Sequence, residues 1–171
     1  VDLGIVRGVR LARIEIAPVL YNAVQNKLKV YTDITLKVNF QNGNIGATLA
    51  EKEKKFSPYY ESIYKQLINY KVIDGGKEFI TDEPVTYIIV SDPMFEDALV
   101  PFVEWKTKKG FQVVLAYTDD PEVGTTTTSI KNYLENFYEN PPDAYNAQSF
   151  VLIVGDIAQV PTFNGSAGGH V

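Results

Sequence analysis

Leu28, Val30, Ile34, Leu36, Val38 and Phe40 occupy even positions, while Lys27, Lys29, Asp33, Lys37 and Asn39 occupy odd ones. This period of two predicts one long, half-buried strand, or two joined by a bulge near Thr32 and Asp33. Val9 to Ile16 is also strand-like, with its apolar phase slipping between Leu11 and Ala12. Pro18 and the stretch 21–26 are expected to connect the two as a hairpin. The stretch 42–55, Gly-Asn-Ile-Gly followed by Glu-Lys-Glu-Lys-Lys, reads as loop and solvated charge. Ser57-Pro58 then offers an N-cap with proline at the first helical position. Tyr60, Ile63, Tyr64, Leu67 and Ile68 follow at helical spacing and predict an amphipathic face.

Residues 71–84 hold Asp74-Gly75-Gly76, four acids and two lysines, and read as a linker between two domains, 1–70 and 85–171. From Val85 the pattern changes. Val85–Val90, Phe111–Tyr117 and Phe150–Val154 are compact apolar strands. Between them, Phe95, Ala98, Leu99, Phe102 and Val103 predict one helix, and Ile130, Tyr133, Leu134, Phe137 and Tyr138 another. Lys106, Lys108, Lys109 and Gly110 suit the end of the first helix, with Pro101 a kink or loosened turn inside it. The fold class is therefore α/β: a flavodoxin-like parallel βαβαβ half-domain with right-handed crossovers, preceded by a β-rich segment. The expected strand order is 2-1-3, with the first strand central.

Composition adds limits. Hydrophobic residues make up 45% of the 171 and charged residues 22%, as in ordinary globular chains. Apolar runs such as Phe150–Val154 fall far short of the ~20 residues of a membrane span. The opening Val-Asp-Leu-Gly has no basic and apolar regions of a signal peptide, which fits a cytoplasmic chain or numbering that begins inside a longer precursor. The net charge of −5 is uneven: 1–70 holds ten basic and six acidic residues, 71–171 six and fifteen. Opposite-sign halves are expected to attract one another, and the acidic half favours cationic ligands over nucleic acid. With no cysteine, disulfides, thiolate metal sites and a cysteine nucleophile are excluded within the chain.

Ligands of open parallel sheets gather at the carboxyl ends of strands. Asp92, Asp119, Asp120 and Asp156 fall there, and could form an acidic rim for a cation or a basic side chain. The competing role is helix capping and loop satisfaction, common for aspartate. A phosphoreceiver built on Asp92 lacks the expected acidic pair and later lysine. His170, the single histidine, follows Gly168-Gly169 with no nucleophile or orienting acid nearby, and reads as a surface residue. Gly43 to Gly46 lacks the dinucleotide pattern and its helix. Thr125–Thr128 could hold phosphate at a helix start, but reads better as a solvated cap.

Several strings together resemble the gingipain family, secreted bacterial cysteine peptidases with a caspase-like α/β core, and its lysine-specific members most. They are Tyr117-Thr-Asp-Asp-Pro-Glu-Val-Gly-Thr125 with Ser129-Ile130-Lys131, Trp105-Lys106 with Lys109-Gly110-Phe111, and Val154-Gly155-Asp156. Upstream, Arg7-Gly8-Val9-Arg10, Leu28-Lys29-Val30, Ser57-Pro58-Tyr59 and Tyr64-Lys65-Gln66-Leu67 look like the end of the family's propeptide. The resemblance implies a precursor fragment: the end of a propeptide over 1–70, a processing linker over 71–84, and the first part of a peptidase domain over 85–171. The family's catalytic histidine and cysteine lie downstream of the Val-Gly-Asp strand, so no catalytic residue is expected in this chain, and His170 does not align with one. Processing is expected after Lys71, or second after Lys77. The resemblance further implies no cofactor, no metal site in this chain, protein or peptide substrates, an intramolecular contact of propeptide with peptidase, and a secreted or cell-surface location. The other reading is a non-enzymatic pair of modules, one adhesive and one binding a ligand at the acidic rim.

Overall fold

The computed structural model describes residues 1–39, 41–70 and 84–163. It divides into two compact units, Val1–Glu53 and Lys54–Val171.

The first unit is two separate hairpins and a helix. β1 (Asp2–Val6) pairs antiparallel with β2 (Val9–Ala12). Their two-residue turn is Arg7-Gly8, with φ of 44° and 82°. Positive φ at both positions makes the mirror-image turn whose twist matches that of the strands. A β-carbon at Gly8 would lie 2.9 Å from the Glu51 carbonyl carbon, so glycine is required there twice over. β3 (Val19–Asn22) pairs with β4 (Lys27–Val30) across a four-residue loop. Asn26 closes that loop in the left-handed region, and its side-chain oxygen accepts from the Tyr21 hydroxyl at 2.9 Å.

Three expectations are corrected here. The strand beginning at Val9 pairs backward with β1, and 21–26 is split between a strand and its own loop. The long alternating strand stops at Val30, with 31–39 irregular and Phe40 outside the described residues. The alternation has no second layer to bury it within this unit, and a two-stranded hairpin is marginal alone: Leu28 is 62% exposed. Finally, the stretch expected to be loop contains α1 (Ile45–Lys54). Asn44 starts it, its side-chain oxygen accepting from the Ala47 N–H at 3.0 Å.

The second unit begins with a 3₁₀ turn (Pro58–Tyr60) and a short helix, α2 (Glu61–Tyr64). The helix expected to reach Ile68 ends four residues earlier, where Gln66 and Leu67 donate to carbonyls only three residues back. The Ser57 side chain makes no capping bond to that turn, although its carbonyl accepts from the Tyr60 N–H at 3.1 Å. Then come β5 (Val85–Ser91), α3 (Glu96–Lys108), β6 (Phe111–Tyr117), α4 (Thr127–Glu139) and β7 (Phe150–Val154). The sheet order is β6-β5-β7, all parallel, which is the expected 2-1-3.

Register explains the layers. Tyr87 and Ile89 point to one face, with Phe111, Val113, Phe150, Leu152 and Val154, and α3 covers them through Leu99, Phe102 and Val103. Ile88 and Val90 point to the other, with Val114 and Ala116, under Ile130, Phe137 and Leu134 of α4. One helix per face follows from right-handed crossovers running to opposite sides of β5. Covered on both faces, β5 is buried from Thr86 to Ser91. At the flank, Val151 and Ile153 of β7 share the α4 face but stay substantially exposed. α3 passes through Pro101 as one helix and closes with Lys106 and Lys108 in its last turn, Lys109 capping, and Gly110 at φ 86°.

Candidate functional site

Three strand ends form the carboxyl rim of the second unit, and Asp92, Asp120 and Asp156 are each bound into their own turn. Asp92 follows β5 and accepts from the Met94 N–H at 2.8 Å, starting the Pro93–Phe95 turn. Asp120 follows β6 and accepts from the Glu122 N–H at 2.9 Å, while its carbonyl accepts from Val123 and Gly124. Asp156 follows β7 and accepts from the Ile157 N–H at 2.7 Å; its own N–H donates to the Gln159 side chain at 3.0 Å. Asp119 is exposed beside Asp120. Burial, then the Glu96 and Asp119 carboxylates, push the Tyr117 phenol above its usual range. No group of three His, Cys, Asp or Glu side chains that could hold a metal ion occurs among the described residues.

Two glycines shape this rim. Gly155 has φ 136°, and a β-carbon on it would come within 2.9 Å of the Gln159 β-carbon and 3.6 Å of the Phe95 ring. Gly124 has φ 70°, and a β-carbon there would meet the Ser129 hydroxyl at 2.6 Å. That hydroxyl is engaged: Thr126 and Ser129 form a reciprocal capping box at the start of α4. The threonine run is thus a cap, as the capping reading of 125–128 expects. A groove of about 590 Å³ runs along α4, lined by Ser129, Asn132, Tyr133, Asn136 and Asn140 with Glu122 beside them. Phe137 and Pro142 add apolar wall to these amides, hydroxyls and one carboxylate, and the lining supplies no nucleophile–base pair.

The amino edge of the same sheet is built differently. Phe111 opens β6, Phe150 opens β7, and Tyr87 lies between them with ring centroids 5.6 Å and 5.7 Å away. Tyr59 completes the cluster, stacked 6.3 Å from Phe111 and edge-on 4.8 Å from Phe150. The Lys106 ammonium sits 4.5 Å from the Tyr87 ring centroid and 5.1 Å from that of Phe111, closing the cluster with a cation. Ser57 and Ser149 hydroxyls are 2.7 Å apart, and the Ala147 N–H donates to the Lys54 carbonyl at 3.4 Å. Lys55, read from the sequence as solvated charge, is buried; it pairs with Glu139 and lies 4.9 Å over the Tyr138 ring. Sequence reasoning did not bring these residues together as a site, although the strings Ser57-Pro58-Tyr59 and Trp105-Lys106 with Lys109-Gly110-Phe111 contain several of them. Lys71, Lys77 and His170 lie outside the described residues.

Two family models match the chain: a propeptide model, Propeptide_C25, over residues 2–72, and a peptidase model, Peptidase family C25, over residues 80–170. Lys-gingipain of Porphyromonas gingivalis is 43% identical over 155 residues, 90% of this chain. Gingipain R1 of the same organism is 26% identical over 162 residues, 94% of the chain. This chain spans 9% of the length of that Lys-gingipain and 16% of that gingipain R1. A solved structure described as "Structure of Protease" matches 48% of the chain and 18% of its own length, with 37% identity and a TM-score of 0.45.

Proposed function

Because the chain belongs to peptidase family C25 and carries the family's propeptide sequence in front of the peptidase sequence, we propose that it is part of the precursor of a gingipain-like cysteine endopeptidase that cleaves after lysine. The observation that carries this reading is the pairing of the two matches in one chain, the second lying over the parallel β6-β5-β7 sheet. The parent enzyme works by acyl transfer: a thiolate attacks the scissile carbonyl, and a histidine moves the proton to the leaving amine. With no cysteine in its sequence, this chain supplies propeptide and scaffold to that reaction. The parent acts outside the cell or on its surface. The basic 1–70 and acidic 71–171 halves support contact between propeptide and peptidase, since complementary charge aids orientation.

Maturation falls in the linker. All three arginines, Arg7, Arg10 and Arg13, precede it, whereas Lys71 and Lys77 lie within it. An enzyme that cuts its own linker here must accept lysine, and Lys71 is the favoured site. The test is expression of the longer precursor and reading of the new N-terminus of the mature form. A start at Val72 or Glu78, lost in the Lys71→Ala, Lys77→Ala variant, supports the reading. A start outside 72–85, or unchanged maturation of that variant, defeats it. Turnover of lysyl or arginyl peptides that stays with the purified 171-residue chain would also defeat it.

A further inference from the structure

By sequence, residues 54–70 fall inside the propeptide match, yet they are part of the compact unit that holds the peptidase sheet. Every contact described above for Lys54, Lys55, Ser57 and Tyr59 is made at one end of that unit. The partners are Phe111 and Phe150, which open β6 and β7, Ala147 and Ser149 on the approach to β7, and Tyr138 and Glu139 at the end of α4. None is on the carboxyl rim. Resting on the propeptide reading above, we propose that the amino edge of the sheet is the docking surface for residues 54–70, so that the propeptide is anchored at the end of the sheet opposite the rim.

The chemistry of the surface selects this occupant. A buried ammonium is tolerated only with a partner, and Glu139 together with the Tyr138 ring supplies one. The Ser57 hydroxyl, 2% exposed, answers the Ser149 hydroxyl. Tyr59 fits the aromatic floor by shape and ring geometry. Such a contact differs from attraction between two charged halves. Its ion pair is held at a buried lysine, where salt screens weakly, and its area is aromatic.

The anchor is tested on the whole 171-residue chain, with a sequence-specific protease site inserted between Gly75 and Gly76. After cutting, the two pieces are passed through size-exclusion chromatography in low salt and in ~1 M salt, where the screening length is ~3 Å. Co-elution in both is expected. Lys55→Glu should raise the dissociation constant at least tenfold, and adding Glu139→Lys should restore most of the loss. That restoration cannot come from a merely misfolded Lys55→Glu chain. Separation of the unsubstituted pieces, a Lys55→Glu chain that holds as tightly, or a failure of the double variant to recover would overturn the proposal. Where maturation cuts the longer precursor is a separate measurement. A mature N-terminus outside 72–85 with co-eluting pieces removes the processing reading and leaves the docking surface standing.

Discussion

The Tyr59 ring stands edge-on to the Phe150 ring, centroids 4.8 Å apart at 83°, joining the turn before α2 to the first residue of β7. Phe150 in turn stacks on Tyr87 at 26°, so the contact leads straight into the central strand. An aromatic pair of this geometry adds about 0.5–1.5 kcal/mol beyond its buried area. Since Tyr59 keeps half its surface in water, truncation should not approach the cost of a core aromatic. Tyr59→Ala is expected to lower the stability of the second unit by about 1–2 kcal/mol, and Tyr59→Phe by much less. Denaturant midpoints followed by near-ultraviolet circular dichroism check this; equal losses for both variants would contradict it.

Gly155 offers a sharper backbone test. Its φ of 136° is one that side-chain-bearing residues rarely adopt, and the Gln159 side chain fills the space a β-carbon needs. Gly155→Ala should cost about 1–3 kcal/mol, chiefly through strain at the end of β7. A neutral result in thermal unfolding would show that the turn relaxes without penalty.

At Asp92 the cap and cation roles separate cleanly. Asparagine keeps a side-chain oxygen for the Met94 N–H but removes the charge, whereas alanine removes both. If capping is the role, Asp92→Asn should stay within a few tenths of a kcal/mol and Asp92→Ala should lose about 0.5–2 kcal/mol. Calcium added at millimolar levels should then leave the melting temperature unmoved. A calcium-dependent rise that vanishes in Asp92→Asn would restore the rim as a cation site.

Tyr133 carries the alkaline prediction. Burial, then the Asp120 and Glu122 carboxylates and Tyr145, raise its phenol above the ordinary value of 10.0. The folded state therefore keeps a proton that the unfolded state releases near that pH. This contribution is fully present below about pH 10 and is lost as pH climbs through the higher folded value. Tyr133→Phe should flatten the fall in stability above pH 10, measured by urea unfolding at stepped pH, and remove one late phenolate from the ultraviolet titration.

From Val85 onward the second unit was legible because its signals are local. The apolar runs at 111–117 and 150–154 became strands at the same bounds, and Lys109-Gly110 punctuated the first of two helices whose apolar spacing was complete within each element. The first unit resisted for the opposite reason. Period-two alternation extends a strand only where another layer takes up the apolar side, and Ile34, Leu36 and Val38, beyond the end of β4, stay exposed. Helix α1 was hidden by Gly46 and by a charge-rich end, although Asn44 was available as its cap. The same limit governs the site. Capping by Asp92 or Thr126 needs partners two or three residues away, but burial of Lys55 depends on Glu139, 84 residues further along the chain.

That separation ties the seat of residues 54–70 to the last strand of the sheet. Ser57 and Ser149 are 92 residues apart, and the surface that receives Tyr59 has Phe150 as one wall. β5, α3 and β6 are consecutive, so pairing β6 with β5 closes the shorter loop. β7 must then pass the completed βαβ unit to reach the other side of β5, a slower, longer-range pairing. Until it arrives, residues 54–70 have only half a seat. The complete seat for residues 54–70 therefore exists only on a sheet whose third strand is in register.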